Sequence, residues 1–161
     1  MLDANLEGSP GSIGLFLGDG SQSNYISLSL SDTGLVLVEE SNNTATVQEF
    51  TVDNMDELSV ADLQLSFDPA AGTVLPSVRL EGNPLEILGT PRPLSSALTN
   101  LLQNSSAPAV GLLADNPTGA GFSATWDSLN VTFNNGATCQ GTWSTLDDQT
   151  GQFQALSLIH I

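Results

Sequence analysis

Positive charge is almost missing from this chain. Two residues are Lys or Arg, namely Arg79 and Arg92, against 18 Asp and Glu, for a formal net charge of −16 at pH 7. Affinity for nucleic-acid phosphates rests on Lys and Arg side chains, so nucleic acid is excluded as a partner, and anionic membrane surfaces are disfavoured for the same reason. Cysteine is nearly absent as well: Cys139 stands alone and cannot close an internal disulfide. With a single histidine, His160, the chain has no set of ligands for a zinc site of the usual Cys/His composition, and no Ser-His-Asp or Cys-His arrangement to activate a nucleophile. No stretch approaches the ~20 consecutive apolar residues of a spanning helix, so membrane insertion is not expected. Residues 1–12 carry neither a basic n-region nor an apolar h-region, so a signal sequence, if the protein is exported, belongs upstream.

What is present is enough apolar material for a folded domain: 161 residues, 40% of them hydrophobic. Only 12% are charged, so Ser, Thr, Asn, Gln and Asp must cover the surface. The acidity has two readings, solubility or oxygen ligands for calcium. The clearest pattern is Ala61–Leu80. Leu63, Leu65 and Phe67 alternate with Asp62, Gln64 and Ser66, then Asp68-Pro69 opens a turn that Gly72 closes. Val74, Pro76, Val78 and Leu80 resume the alternation, which predicts an antiparallel hairpin.

Similar half-hairpins fill the rest. Ser12–Gly18, Asn24–Ser31, Leu35–Glu39 and Thr44–Val52 read as strands joined by Gly, Asn and Asp turns, with Ile26, Leu28 and Leu30 facing in against Ser27 and Ser29, and with Ala45, Val47 and Glu49 sharing a face. Leu85–Leu88 is a short strand. Pro93–Gln103 is the one helical candidate, with Leu94, Leu98, Leu101 and Leu102 at helical spacing and Ser95 or Ser96 as its cap. Ala109–Leu113 and Gly121–Phe133 return to strand, the second with a phase slip near Asp127-Ser128 that a bulge accounts for. Short strands at intervals of roughly 8–12 residues predict an all-β sandwich or barrel.

Ile13–Leu28, Leu63–Thr73, Val110-Gly-Leu and Phe122–Val131 together resemble the bacterial branch of the concanavalin A-like lectin/glucanase superfamily, the laminin-G-like modules of large secreted or surface proteins. The resemblance covers about residues 12 to 133. It implies an antiparallel β-sandwich of jelly-roll type over residues 1–134, incomplete at its N-terminal side, and an extracellular or cell-surface setting with neighbouring domains on the same chain. Residues 135–155 read as a linker or the start of a following kelch-like domain. Leu156–Ile161 equals one reading frame of a transposon-end sequencing adapter (CTG TCT CTT ATA CAC ATC) and is read as a scar of a metagenomic fragment. A sandwich lacking strands leaves open edges, so self-association is expected.

The resemblance also frames the chemistry. Glucanases of this superfamily place Glu, Asp and Glu on alternate positions of one strand, and no Glu-x-Asp-x-x-Glu occurs here. Glu39-Glu40 is an adjacent pair, which a strand would send to opposite faces. The chain is therefore read as non-enzymatic: a carbohydrate-binding or adhesion module for a polysaccharide or glycan, with a ligand-free spacer as the alternative and a glycoside hydrolase relative behind both. Candidate ligand contacts are Tyr25, Asn24 and Trp126, against which stand a core position for Trp126 and a sheet-edge anchor for the Tyr25 hydroxyl. Candidate calcium ligands are Asp19, Asp115, Asn116 and Asp127, in or near turns, where turn-forming Asx side chains account for the same residues.

Overall fold

The computed structural model describes residues 2–5, 11–53, 58–104, 108–116, 123–126, 129–132, 138–139, 145–147 and 153–155. Its elements are β1 (Leu2–Asn5), β2 (Ser12–Gly18), β3 (Asn24–Ser31), β4 (Gly34–Ser41), β5 (Thr44–Phe50), β6 (Ala61–Asp68), β7 (Thr73–Leu80), β8 (Glu86–Ile87), β9 (Arg92–Pro93), α1 (Ser96–Asn104), β10 (Ala109–Asp115), β11 (Ser123–Trp126), β12 (Val131–Thr132), β13 (Thr138–Cys139), β14 (Thr145–Asp147) and β15 (Phe153–Ala155). Among the described residues the protein is all-β apart from α1. One sheet, S1, runs in the order β14-β15-β10-β2-β3-β4-β5, the other, S2, in the order β11-β1-β6-β7-β8 with β9 also on β7, and β12 pairs with β13. Every one of these pairings is antiparallel.

The predicted hairpin is β6–β7. Phe67 pairs with Val74, Leu65 with Pro76, Leu63 with Val78 and Ala61 with Leu80, so the alternation in the sequence becomes one apolar face. Its turn forms as the residues dictate: Asp68 Oδ1 accepts the Ala70 and Ala71 N–H groups at 2.8 and 3.1 Å, and Gly72 takes φ 64°. On the other side of the same strands Arg79 stands in register with Asp62, 3.5 Å from it.

The core lies between the sheets. Ile13, Ile26, Leu28, Leu30, Leu35 and Leu37 from S1 meet Ala61, Val74 and Val78 from S2, and Leu94 and Leu98 join the same cluster. The arrangement is sandwich-like: each sheet turns one apolar face inward because a sheet with one buried face must cover it with a second layer. In chain order β1 of S2 precedes β2 of S1 while β10 of S1 precedes β11 of S2, and β10 pairs with β2 as β11 pairs with β1. Among the described residues, no helix is long and apolar enough to cross a membrane.

Several boundaries differ from the sequence reading. The helix covers Ser96–Asn104 rather than starting at Pro93, because Arg92 and Pro93 pair with Val74 and Thr73 as β9. Ser95 is the cap, its Oγ accepting the Leu98 N–H at 3.3 Å. The strand expected over Leu85–Leu88 shortens to Glu86–Ile87, and that expected over Thr44–Val52 ends at Phe50. Of the strand expected over Gly121–Phe133, the described residues form β11 and β12, and the bulge placed at Asp127-Ser128 lies outside the described residues. The strands β14 and β15, from the stretch read as a linker or a following domain, lie on the β10 side of S1.

Candidate functional site

Strand parity sorts S1 into two faces. Ile26, Leu28 and Leu30 turn inward, so Tyr25, Ser27 and Ser29 turn away from S2. The register then builds this outer face row by row. Ala109, Gly18, Tyr25, Glu40 and Ala45 are side-by-side partners across five strands. The next row is Gly111, Phe16, Ser27, Val38 and Val47. Tyr25 is thus a half-buried ring with glycine and alanine on one flank and a carboxylate on the other. Gly18 has to be glycine: a Cβ there would sit 2.4 Å from the Asn24 carbonyl oxygen and 2.7 Å from the Tyr25 Cβ. The Tyr25 phenol is held above its ordinary pKa, first by burial and then by the negative charges of Glu40 and Asp115.

Above this row, two turns are tied together. Asn42 and Asn43, at φ 51° and 61°, make the two-residue turn of the β4–β5 hairpin, and both are residues that tolerate the left-handed region. Asn24 Oδ1 accepts the Asn42 N–H at 3.1 Å, while Asn24 Nδ2 donates to Asp19 Oδ2 at 3.1 Å. Asp19 Oδ1 accepts the Ser21 N–H at 2.8 Å, and the Ser23 hydroxyl donates to Asn43 Oδ1 at 3.0 Å. Partial burial works to raise the Asp19 pKa, but the hydrogen bonds from Ser21 and Asn24 outweigh it and the carboxyl titrates below its ordinary value.

The residues singled out from sequence are therefore distributed as follows. Tyr25 and Asn24 are neighbours at one end of β3, with Tyr25 on the outer face and Asn24 engaged in the turn network. Trp126 pairs with Leu2 between β11 and β1, in S2 and not beside Tyr25. Asp19 follows β2 at its C-terminal end, whereas Asp115 pairs with Ser12 at the other end of the strand. Asn116 follows Asp115, and Asp127 lies outside the described residues. Among the described residues, no group of three or more His, Cys, Asp or Glu is placed to hold a metal ion.

Two carboxylates to which the sequence reading gave no structural role have one. Glu39, 6% exposed on the inner face, accepts the Ser95 N–H at 2.6 Å and lies 3.8 Å from Arg92. Glu40 points the opposite way, as an adjacent pair on a strand must. Glu81, at φ 51°, accepts the backbone N–H groups of Ser59 and Val60, and these bonds lower its pKa. A leucine-to-acid break in an inward alternation (Leu35, Leu37, Glu39) was the only sequence signal for Glu39, and its partners lie more than fifty residues on. In comparisons with protein-family models, with curated proteins and with solved structures, nothing matches this chain.

Proposed function

We propose that this chain is a non-catalytic jelly-roll module of a secreted or cell-surface bacterial protein, and that it binds carbohydrate through the outer face of S1. The observation that carries the reading is the row Ala109, Gly18, Tyr25, Glu40, Ala45. A sugar ring presents an apolar face edged with hydroxyls. It needs a flat apolar wall, room beside that wall, and a hydrogen-bond acceptor within reach. Tyr25 supplies the wall, the small residues Gly18 and Ala109 flank it on one side, and Glu40 supplies the acceptor on the other. The jelly-roll assignment is supported by the way β10 and β11 follow β1 and β2 from one sheet to the other. The extracellular setting and the neighbouring domains rest on the sequence resemblance.

A ligand-free spacer is the second reading, and one observation favours it. Asn24 already donates to Asp19 and accepts the Asn42 N–H, and Asn43 accepts from the Ser23 hydroxyl, so these polar side chains are used within the two turns. Sedimentation with insoluble polysaccharides, run with calcium and with a chelator, separates the two. Co-sedimentation with at least one polysaccharide supports the module reading, and loss of it with chelator assigns calcium a part. Silence across cellulose, chitin, xylan, β-glucan and mannan in both conditions leaves the spacer.

A further inference from the structure

We propose that two copies of this chain associate edge to edge through β5, in an antiparallel pairing centred on Val47. Among the described residues β5 is the last strand of S1, and Thr44 to Glu49 are exposed, Val47 at 54%. The two-residue turn at Asn42-Asn43 makes Ser41 and Thr44 a hydrogen-bonded pair, and the alternation then assigns Thr46, Gln48 and Phe50 to bonding with β4. The N–H and C=O groups of Ala45, Val47 and Glu49 consequently point away from the sheet. Natural edges are usually blunted by lysine, proline, a bulge or shortness. This one has seven residues, Thr-Ala-Thr-Val-Gln-Glu-Phe, with no lysine and no proline, and its register with β4 is unbroken. The outer strand at the other described end of S1, β14, has three residues, and β8 of S2 has two.

The edge is complementary to itself. With a two-fold axis through Val47, residue 45 of one copy faces 49 of the other, 46 faces 48, and Val47 faces Val47. Every outward N–H and C=O of Ala45, Val47 and Glu49 then finds a partner, over an edge of about 24 Å. Charge selects the occupant. Each copy carries −16, which repels a second copy in most orientations, yet the only charged residue of β5 is Glu49. In this register Glu49 meets Ala45, and the two Glu49 side chains stay about 13 Å apart, beyond the Debye length of ~8 Å at physiological salt. The same pairing continues the Val38–Val47 stripe of the outer face across the axis. A strand edge of this size is small for a permanent dimer, so the association is a weak one that tightens with salt.

Sedimentation equilibrium up to about 1 mM protein, at two salt concentrations, tests this. The wild type is expected to show a monomer–dimer equilibrium that strengthens as salt rises. Val47→Lys, which brings two like charges together on the axis while lowering the net negative charge, is expected to weaken dimerisation at least tenfold. Ala45→Lys, which sets a lysine against Glu49 of the other copy, is expected to strengthen it about three- to tenfold. Ile87→Lys, on the edge of S2, controls for a general charge effect and is expected to have no more than twofold influence. Thermal melts show which variants are folded, and Ala45→Lys keeps the register test available should Val47→Lys melt early. A wild type that stays monomeric across the range, dimerisation unaltered by Val47→Lys in a folded protein, or weakening by Ala45→Lys would each overturn the proposal.

Discussion

Glu39 Oε1 accepts the backbone N–H of Ser95 at 2.6 Å, joining β4 of S1 to the cap of α1 across 56 positions of sequence. The Ser95 hydroxyl meets that of Ser41 at 3.0 Å, and Arg92 stands 3.8 Å from the same glutamate. One carboxylate thus compensates an N-terminal helix donor and a largely covered guanidinium. This brace holds α1 over the inner face of S1, where Leu98 is fully buried.

Replacing Glu39 by Ala leaves the Ser95 N–H without its acceptor and the Arg92 guanidinium without this counter-charge, and is expected to cost roughly 1–3 kcal/mol. Glu39→Gln keeps an acceptor oxygen for Ser95 and is expected to cost less than half as much. Urea unfolding measures both, with an unchanged m-value showing that the compact state is otherwise preserved. Equal losses for the two variants would mean that charge, not the hydrogen bond, matters at this point.

Tyr25 is the single tyrosine of the chain, so phenolate absorbance near 295 nm reports on it alone. Burial, Glu40 and Asp115 raise its pKa above 10.0, and the titration midpoint is expected there. A raised folded pKa means that the neutral phenol is favoured by folding. That contribution to stability is complete below 10.0 and is lost as pH climbs through the folded value. Glu40→Gln is expected to lower the midpoint, and a midpoint at or below 10.0 in the folded wild type would remove the half-buried setting assigned to the ring.

Acid acts in the opposite sense on Asp19 and Glu81. Their ordinary values are 3.8 and 4.5, and both are lowered in the fold. The stability they add is present above those ordinary values and drains away as pH falls through the lowered ones. Asp19→Asn with Glu81→Gln is expected to flatten the loss of stability below pH 4.5 relative to wild type. Chemical denaturation at a series of pH values reads this directly, and identical acid profiles would contradict it.

How much of this was legible follows the physics of each signal. The β6–β7 hairpin was readable to the residue because alternation and the Asp68–Gly72 turn chemistry are both local. Inward and outward faces of β3 followed from the same two-residue period. The helix start was misplaced because β9 claims Arg92 and Pro93 through pairing with β7, a tertiary demand that spacing among leucines does not carry. The calcium candidates show the same limit. Asp19 and Asp115 both lie at strand ends, and only the β2–β10 register reveals that those ends are opposite. The Tyr25 row was invisible for the same reason, since its members come from five strands and four of them are unremarkable residues in sequence.

The most direct test of the binding account is a glycan array probed in parallel with wild type and Tyr25→Ala, each first shown to melt cooperatively. The account expects wild type to bind at least one glycan and Tyr25→Ala to lose roughly tenfold or more in affinity for it, because burying one aromatic side chain is worth about 1.5–3 kcal/mol. Equal binding by the two proteins, or no binding by either, would contradict it.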